Sequence, residues 1–231
     1  MQRLAAQVAP RLSVIIPTLN AADGLATTLA ALPSDAEVIV VDGGSSDATL
    51  QVAAAAGAQV LRAPAGRGGQ LAAGVVQARA PWMLFLHADT RLDAKAWAAL
   101  EAFVADGANQ DTAAAFGFRL DTRAWQARLL ELGVRLRVAL LALPYGDQGM
   151  LIHRQLYERV GGYRPLPLME DVDLVQRLGR RRLRILPGVA LTSAVRWRRR
   201  GWMRQSLLNL HCLALYLTGA PPARIAQIYG R

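Results

Sequence analysis

The chain has 231 residues, 53% hydrophobic and 19% charged, which suits one α/β domain with a full-sized core. Its single cysteine, Cys212, excludes an intramolecular disulfide framework and any CxxC metal site, so a reducing cytosol is the expected compartment. The net charge is +10, yet residues 174–231 carry twelve arginines and no acid, leaving −2 for residues 1–173.

No signal peptide is expected, because the apolar stretch after Arg3 is broken by Gln7, Pro10 and Arg11. The first ninety residues then repeat one unit. Residues 12–16 (LSVII) form a buried strand closed by Pro17, with a helix to Leu32. Residues 37–41 (EVIVV) form the second strand, followed by a helix over 47–56. Residues 59–61 are the third, with a helix over 70–78, and residues 82–86 (WMLFL) are the fourth. These starts are spaced for strand–helix–strand crossovers. Continuous rather than alternating apolar strands imply burial on both faces. The expected fold is Rossmann-like, a doubly wound and mostly parallel sheet.

Beyond Asp93 the rhythm changes. A helix over 94–105, a strand over 113–120 and a long helix over about 122–143 precede a break at Pro144-Tyr145-Gly146. A strand over 149–153 and a helix to Val160 end at Gly161-Gly162. A helix from Met169 to Leu178, a strand over 183–186 and two helices close the chain. The expected organisation is a catalytic domain over 1–195 with a basic, apolar-helical extension over 196–231. The apolar runs at 136–143 and 207–217 are shorter than the ~20 residues of a spanning helix.

In an open parallel sheet, ligands bind beyond the carboxyl ends of the strands. Three polar clusters fall there: Pro17-Thr18-Leu19-Asn20, Asp42 with Gly43-Gly44-Ser45-Ser46-Asp47, and His87-Ala88-Asp89. Asn20 and Asp47 also suit helix N-caps. Asp42 and Asp89 end buried strands, where a carboxylate needs a partner such as a metal or polar ligand. Gly66-Arg67-Gly68-Gly69 starts like a dinucleotide fingerprint, but Leu71 stands where its third glycine belongs. There is no GxxxxGK[ST] loop, HExxH helix or GxSxG elbow.

SVIIPTLN, EVIVVDGGSSDAT, FLHADT and MEDVDL, in this order, resemble an inverting family-2 glycosyltransferase with a GT-A fold. GRGGQLAAG, PYGDQGMLIHR and the GGY before MEDVDL are similar to a short, soluble bacterial subgroup, some of it linked to arsenosugar biosynthesis. The resemblance implies a nucleotide-sugar donor, UDP-linked by its base contact, in which Asp42 accepts a hydrogen bond from the imide N–H of a uracil-like base. Pro17, Thr18, Asn20, Arg67, Gln70 and Ala88 would complete nucleotide binding. His87-Ala88-Asp89 occupies the place of the DxD motif, with His87 replacing the first acid; Asp89 would hold Mg²⁺ or Mn²⁺. Asp171 would be the general base, with Glu170 orienting it or meeting the acceptor. Both also suit first-turn acids on a helix. Asp147 and Gln148 are candidates to line the acceptor pocket, and Arg196 to reach the diphosphate.

The arginine field suits phosphate, diphosphate or an anionic lipid surface. Leu207, Leu208, Leu210, Leu213, Leu215 and Leu217, with Trp202 and Tyr216, make an apolar helix beside Arg198-Arg199-Arg200. It would dock on its own protein, on a second subunit as a homodimer, or peripherally on the inner face of a membrane. A nucleotidyltransferase is the alternative enzyme, but PTLN stands where its glycine- and basic-rich loop belongs. A nucleic-acid partner is not expected, since no binding motif accompanies the charge.

Overall fold

The computed structural model describes residues 10–230. The stretch around Arg3 and Gln7 lies outside the described residues. Strands β1 (Leu12–Thr18), β2 (Glu37–Asp42), β3 (Gln59–Arg62) and β4 (Trp82–Phe85) lie parallel in the order β3-β2-β1-β4. Helices α1 (Ala22–Ala30), α2 (Thr49–Ala55) and α3 (Arg67–Gln77) make the crossovers between them.

Alternation along these strands feeds two cores. Val14, Ile16, Val40 and Leu84 face Leu25 and Leu29 of α1, whereas Ile15, Ile39, Val41 and Met83 face Leu71 and Val75 of α3. Val14, Ile15 and Ile16 are fully buried, each side chain contributing roughly 1.5–3 kcal/mol. Gly74 sets the closeness of α3 to the sheet. A Cβ there would stand 2.5 Å from Ile15 Cγ2 and 3.0 Å from Val41 Cγ2.

The second half widens the sheet to eight strands. It adds β5 (Thr90–Leu92), α4 (Ala94–Ala105), β6 (Ala113–Leu120), α5 (Trp125–Leu141), β7 (Met150–His153) and α6 (Arg154–Arg159). Then come α7 (Glu170–Leu178), β8 (Leu183–Thr192), α8 (Val195–Arg200), α9 (Trp202–Leu217) and α10 (Pro222–Tyr229). The full order is β3-β2-β1-β4-β7-β6-β8-β5. Most strands run one way, but β7 is antiparallel to β4 and β6, and edge strand β5 is antiparallel to β8.

Three boundaries differ from the sequence reading. Strand β5 is new, because Thr90–Leu92 gains its partner only from residues 190–192. Strand β8 runs six residues past the expected end at Leu186. Pro187-Gly188 reads as a breaker, but a register shift between Ala115 and Gly117 absorbs it, with Gly188 at φ +94°. A Cβ at Gly188 would meet Ala96 N at 2.2 Å, so the bulge also admits the start of α4. Three helices rather than two close the chain, interrupted at Gly201 and before Pro222.

Residues Cys212 and Leu213 of α9 and Ile225 and Ala226 of α10 join the core on the Ile15 face. Phe118, Leu120, Ala127, Val134, Ala194 and Trp197 form a third cluster under α5 and α8. No helix among the described residues is long and apolar enough to cross a membrane.

Candidate active site

The loops after β1 and β2 are sewn together at the carboxyl edge of the sheet. Asp42 is fully buried, and its Oδ2 accepts from the N–H groups of Gly44 and Ser45, both at 2.9 Å. Its Oδ1 accepts from the Thr18 hydroxyl at 3.2 Å and from the Ser45 hydroxyl. Burial alone would raise this carboxyl, but the Ser45, Gly44 and Thr18 bonds outweigh it and hold the group below the usual range. Asn20, at φ +50°, accepts from Ser46 N–H at 2.9 Å, and its own N–H donates to Ser45 Oγ. Asp47 reaches both helices, accepting from Ala22 N–H of α1 and Thr49 N–H of α2.

Gln70 is buried and turned inward. Its amide nitrogen donates to the carbonyls of Thr18 and Val41 at 2.8 and 2.7 Å, and its oxygen accepts from Gly66 N–H. It fixes two strand ends and the glycine turn, which corrects its placement as a group facing ligand. The turn itself has a packing reason. A Cβ at Gly68 would stand 2.1 Å from Arg164 O, so only glycine lets the segment before α7 cross the start of α3.

That crossing builds the second half of the site. Arg67, on the first turn of α3, pairs with Glu170 on the first turn of α7, Nε to Oε1 at 2.6 Å. Its Nη1 stands 3.0 Å from His87 Nε2. A guanidinium only donates, so Nε2 accepts in this contact. Charge attraction from Glu170 and Asp171 overrides burial and raises the Arg67 pKa further. Asp171 Oδ2 accepts from Gly146 N–H at 2.9 Å and Oδ1 from Val172 N–H at 2.8 Å. A Cβ at Gly146 would meet His87 Nε2 at 2.7 Å and Asp171 Oδ2 at 3.6 Å, so glycine brings those groups to one point. Asp173, the third acid of the motif, is structural, pairing with Arg164 and Arg177.

A pocket of about 70 Å³ opens here, lined by Arg67, His87, Asp147, Asp171, Arg196 and Tyr229 among others. Half-buried Asp147 turns Oδ1 inward, where it has no hydrogen-bond partner among the described residues. Burial, against the attraction of Arg137, pushes its carboxyl up to about 6. Arg137 lies over the Tyr145 ring, 3.4 Å from its centroid, and donates to the Leu143 carbonyl.

Asp89 follows the buried β4 edge, and Gly24 of α1 packs on it, a Cβ there meeting Asp89 Cβ at 3.1 Å. Burial raises the Asp89 carboxyl, against attraction from Arg196 and Arg67. No group of three His, Cys, Asp or Glu side chains poised for a metal occurs among the described residues. Asp89 does not line the pocket, but a single carboxylate within the field of Arg196 and Arg67 still fits Mg²⁺ or Mn²⁺, which bind through few protein oxygens and complete their shell with phosphate and water.

Of the residues read from sequence, Arg67, Asp147, Asp171 and Arg196 line one pocket, and Glu170 stands behind it. Pro17, Thr18, Asn20 and Asp42 form the adjoining β1–β2 edge. Ala88 and Gln148 turn away. The Ala88 carbonyl accepts from Thr28, and Gln148 is buried, donating to Phe116 O and accepting from Arg137. Gln148 therefore braces the 3₁₀ turn Gly146–Gln148 instead of lining the acceptor pocket. Sequence reasoning missed Tyr145, Asn209 and Tyr229 as pocket residues. Tyr145 stood in the noted break; nothing local marked the other two, which arrive through the packing of α9 and α10.

A doubly wound sheet with acids and arginines gathered at its switch edge is the GT-A architecture, the fold of the solved glycosyltransferases it superposes on. Residues 13–161 match the family described as glycosyl transferase family 2, and the chain belongs to that family. This sets aside the nucleotidyltransferase alternative. Uncharacterized glycosyltransferases of Mycobacterium bovis and Mycobacterium tuberculosis are 41% identical over 83 residues, 36% of this chain and 38% of each relative. Among solved structures, TarS of S. aureus in complex with UDP superposes with TM-score 0.60 and 17% identity, over 79% of this chain and 60% of that one. A mannosyltransferase of Pyrobaculum calidifontis in complex with GDP-Man and Mn²⁺ gives TM-score 0.60 and 19% identity, over 96% and 69%. Glucosyl-3-phosphoglycerate synthase of M. tuberculosis, with Mn²⁺ and UDP, gives 0.53 and 21%, over 82% and 72%. At these identities the likeness is one of fold.

Proposed function

We propose that this glycosyltransferase moves a sugar from a UDP-linked donor to an acceptor hydroxyl by a single inverting displacement. One observation carries the reading: Asp171 is held by two backbone N–H groups in a pocket that Arg67 and Arg196 also line. Each of its oxygens keeps a lone pair for a proton. In the displacement, the acceptor oxygen bonds the anomeric carbon while the bond from that carbon to the diphosphate oxygen breaks. The acceptor proton passes to Asp171, and the leaving electron pair stays on the diphosphate, which Arg196 and Arg67 face. Bound at Asp89, Mg²⁺ or Mn²⁺ would supply further neutralisation of that diphosphate.

A pocket of about 70 Å³ is too small for a whole nucleotide sugar, so the nucleoside belongs along the β1–β2 edge, beside Thr18, Asn20 and Asp42. Asp42 already has four donors, and a uracil imide gains its place by displacing the Ser45 hydroxyl. The solved neighbours hold UDP in two cases and GDP-Man in a third, so the preference for UDP rests on Asp42.

Thermal melting with UDP-sugars and GDP-sugars, each with and without Mn²⁺, tests the donor. Ligands of the native state raise the midpoint by mass action. UDP-sugars with Mn²⁺ should give the largest rise. A larger rise with GDP-sugars, or none with any nucleotide, overturns the donor reading.

A further inference from the structure

Helix α5 is apolar on two opposite faces. Ala127, Glu131 and Val134 are buried against the third cluster, yet Trp125, Leu129, Leu132, Leu136 and Leu140 are exposed. At 100° per residue, this second set centres half a turn from the first, so it looks straight out to solvent. Trp125 and Leu140 are 67% and 71% exposed. Helix α9 repeats the arrangement. Gln205, Cys212 and Leu213 face inward, while Met203, Leu207, Leu210 and Leu217 form the opposite, exposed ridge. Trp202 of α9 packs against the same buried cluster as Leu130 and Val138 of α5.

The exposed charge on the helices that carry and flank these ridges is cationic, although exposed Asp121 accepts from Ala194 N–H at the start of α8. The only acid within α5, Glu131, is buried and bound by Leu120 N–H and Arg128. Helices α8, α9 and α10 contain no acid, whereas Arg198, Arg199, Arg200 and Arg204 are exposed. Between α9 and α10 lies a cavity of about 300 Å³ lined by Arg200, Arg204, Gln205, Leu208 and Ile228 among others. Gln205 is 1% exposed, and its Oε1 has no hydrogen-bond partner among the described residues. Two cations, apolar walls and a buried acceptor suit an anionic headgroup that bears a hydroxyl.

We propose that the α5 and α9 ridges dock the protein on an anionic lipid bilayer, with a headgroup phosphate entering between Arg200 and Arg204. Apolar ridges enter the acyl boundary while the flanking guanidiniums remain with the phosphates. A second copy is the poorer occupant. A two-fold contact sets each patch against itself, here a largely arginine surface against its own copy.

The test is sedimentation of the whole chain with phosphatidylcholine vesicles, with and without phosphatidylglycerol. Binding should require phosphatidylglycerol and weaken with salt. Replacing Arg198, Arg199 and Arg200 with Gln should lower partitioning about a hundredfold. Leu129→Glu with Leu140→Glu, and Met203→Glu with Leu210→Glu, should each abolish binding, while Val76→Glu on α3 leaves it intact. All these side chains are exposed, so circular dichroism should match the parent. Quenching of tryptophan emission by brominated lipid should fall in Trp125→Phe. No vesicle binding by the parent, or binding indifferent to both ridges, overturns the proposal. A dimer in sedimentation velocity that the ridge variants dissociate would do the same, assigning the face to a second copy.

Discussion

Arg67 and Glu170 form a buried ion pair between the first turns of α3 and α7, closed at 2.6 Å. The pair separates the roles of two adjacent acids. Glu170 holds an arginine at the pocket wall, and its neighbour Asp171 is left facing the pocket. Conformation makes the difference: Met169 enters α7 in the left-handed region at φ +66°, and consecutive helical residues then point about 100° apart.

Asp171→Asn preserves size and keeps one accepting oxygen for a backbone N–H, but loses the second accepting oxygen and the proton-accepting charge. Turnover should fall by about 10²–10⁴-fold. UDP affinity, measured by calorimetry, should stay near the parental value. Near-parental turnover, or loss through donor affinity alone, would move the base to another acid.

Glu170→Gln should act first on stability. Removing one partner of a buried pair costs about 3 kcal/mol, roughly 6–12 °C in melting temperature for a chain of this size. Calorimetric melting checks this, and an unchanged midpoint would show that Arg67 does not depend on Glu170.

Asp89→Ala should abolish the Mn²⁺-dependent part of UDP binding and leave the circular dichroism spectrum unchanged. Titration of UDP with and without Mn²⁺ reads this directly. Parental behaviour would remove FLHADT from the metal site.

Asp147 gives a pH signature. Its folded pKa, about 6, lies above the ordinary carboxylate value, so the folded state favours the neutral acid. That contribution is complete below about pH 4 and disappears as pH rises through 6. Asp147→Asn should therefore melt higher than the parent at pH 8, being more stable by about 1–2 kcal/mol once the full linkage of about 3 kcal/mol is discounted for a half-exposed side chain, with the gain shrinking toward pH 4. A constant difference across this range would show that burial does not govern Asp147.

Gly74→Ala would drive a methyl group into Ile15 and Val41. Overpacking of this kind costs about 1–3 kcal/mol, although alanine is the better helix former. Urea unfolding measures it, and a stabilised variant would mean that α3 can lift from the sheet.

The sequence by itself determined the strand–helix repeat of the first ninety residues, because buried parallel strands are continuous apolar runs and their ends carry the polar loops. It thereby located Asp42 and Asp89, and the resemblance to family 2 added Asp171 and supplied the expected roles of all three. Tertiary structure alone decided which neighbouring polar residues face the pocket. Gln70 and Gln148 looked like ligand groups but satisfy backbone carbonyls, a demand that exists only once strands and turns have met. Asn209 and Tyr229 joined the pocket from far along the chain for the complementary reason. Sequence periodicity gives the angle of a residue on its own helix, but only packing decides which neighbour that angle meets, and so which apolar face of α5 became core and which stayed outside.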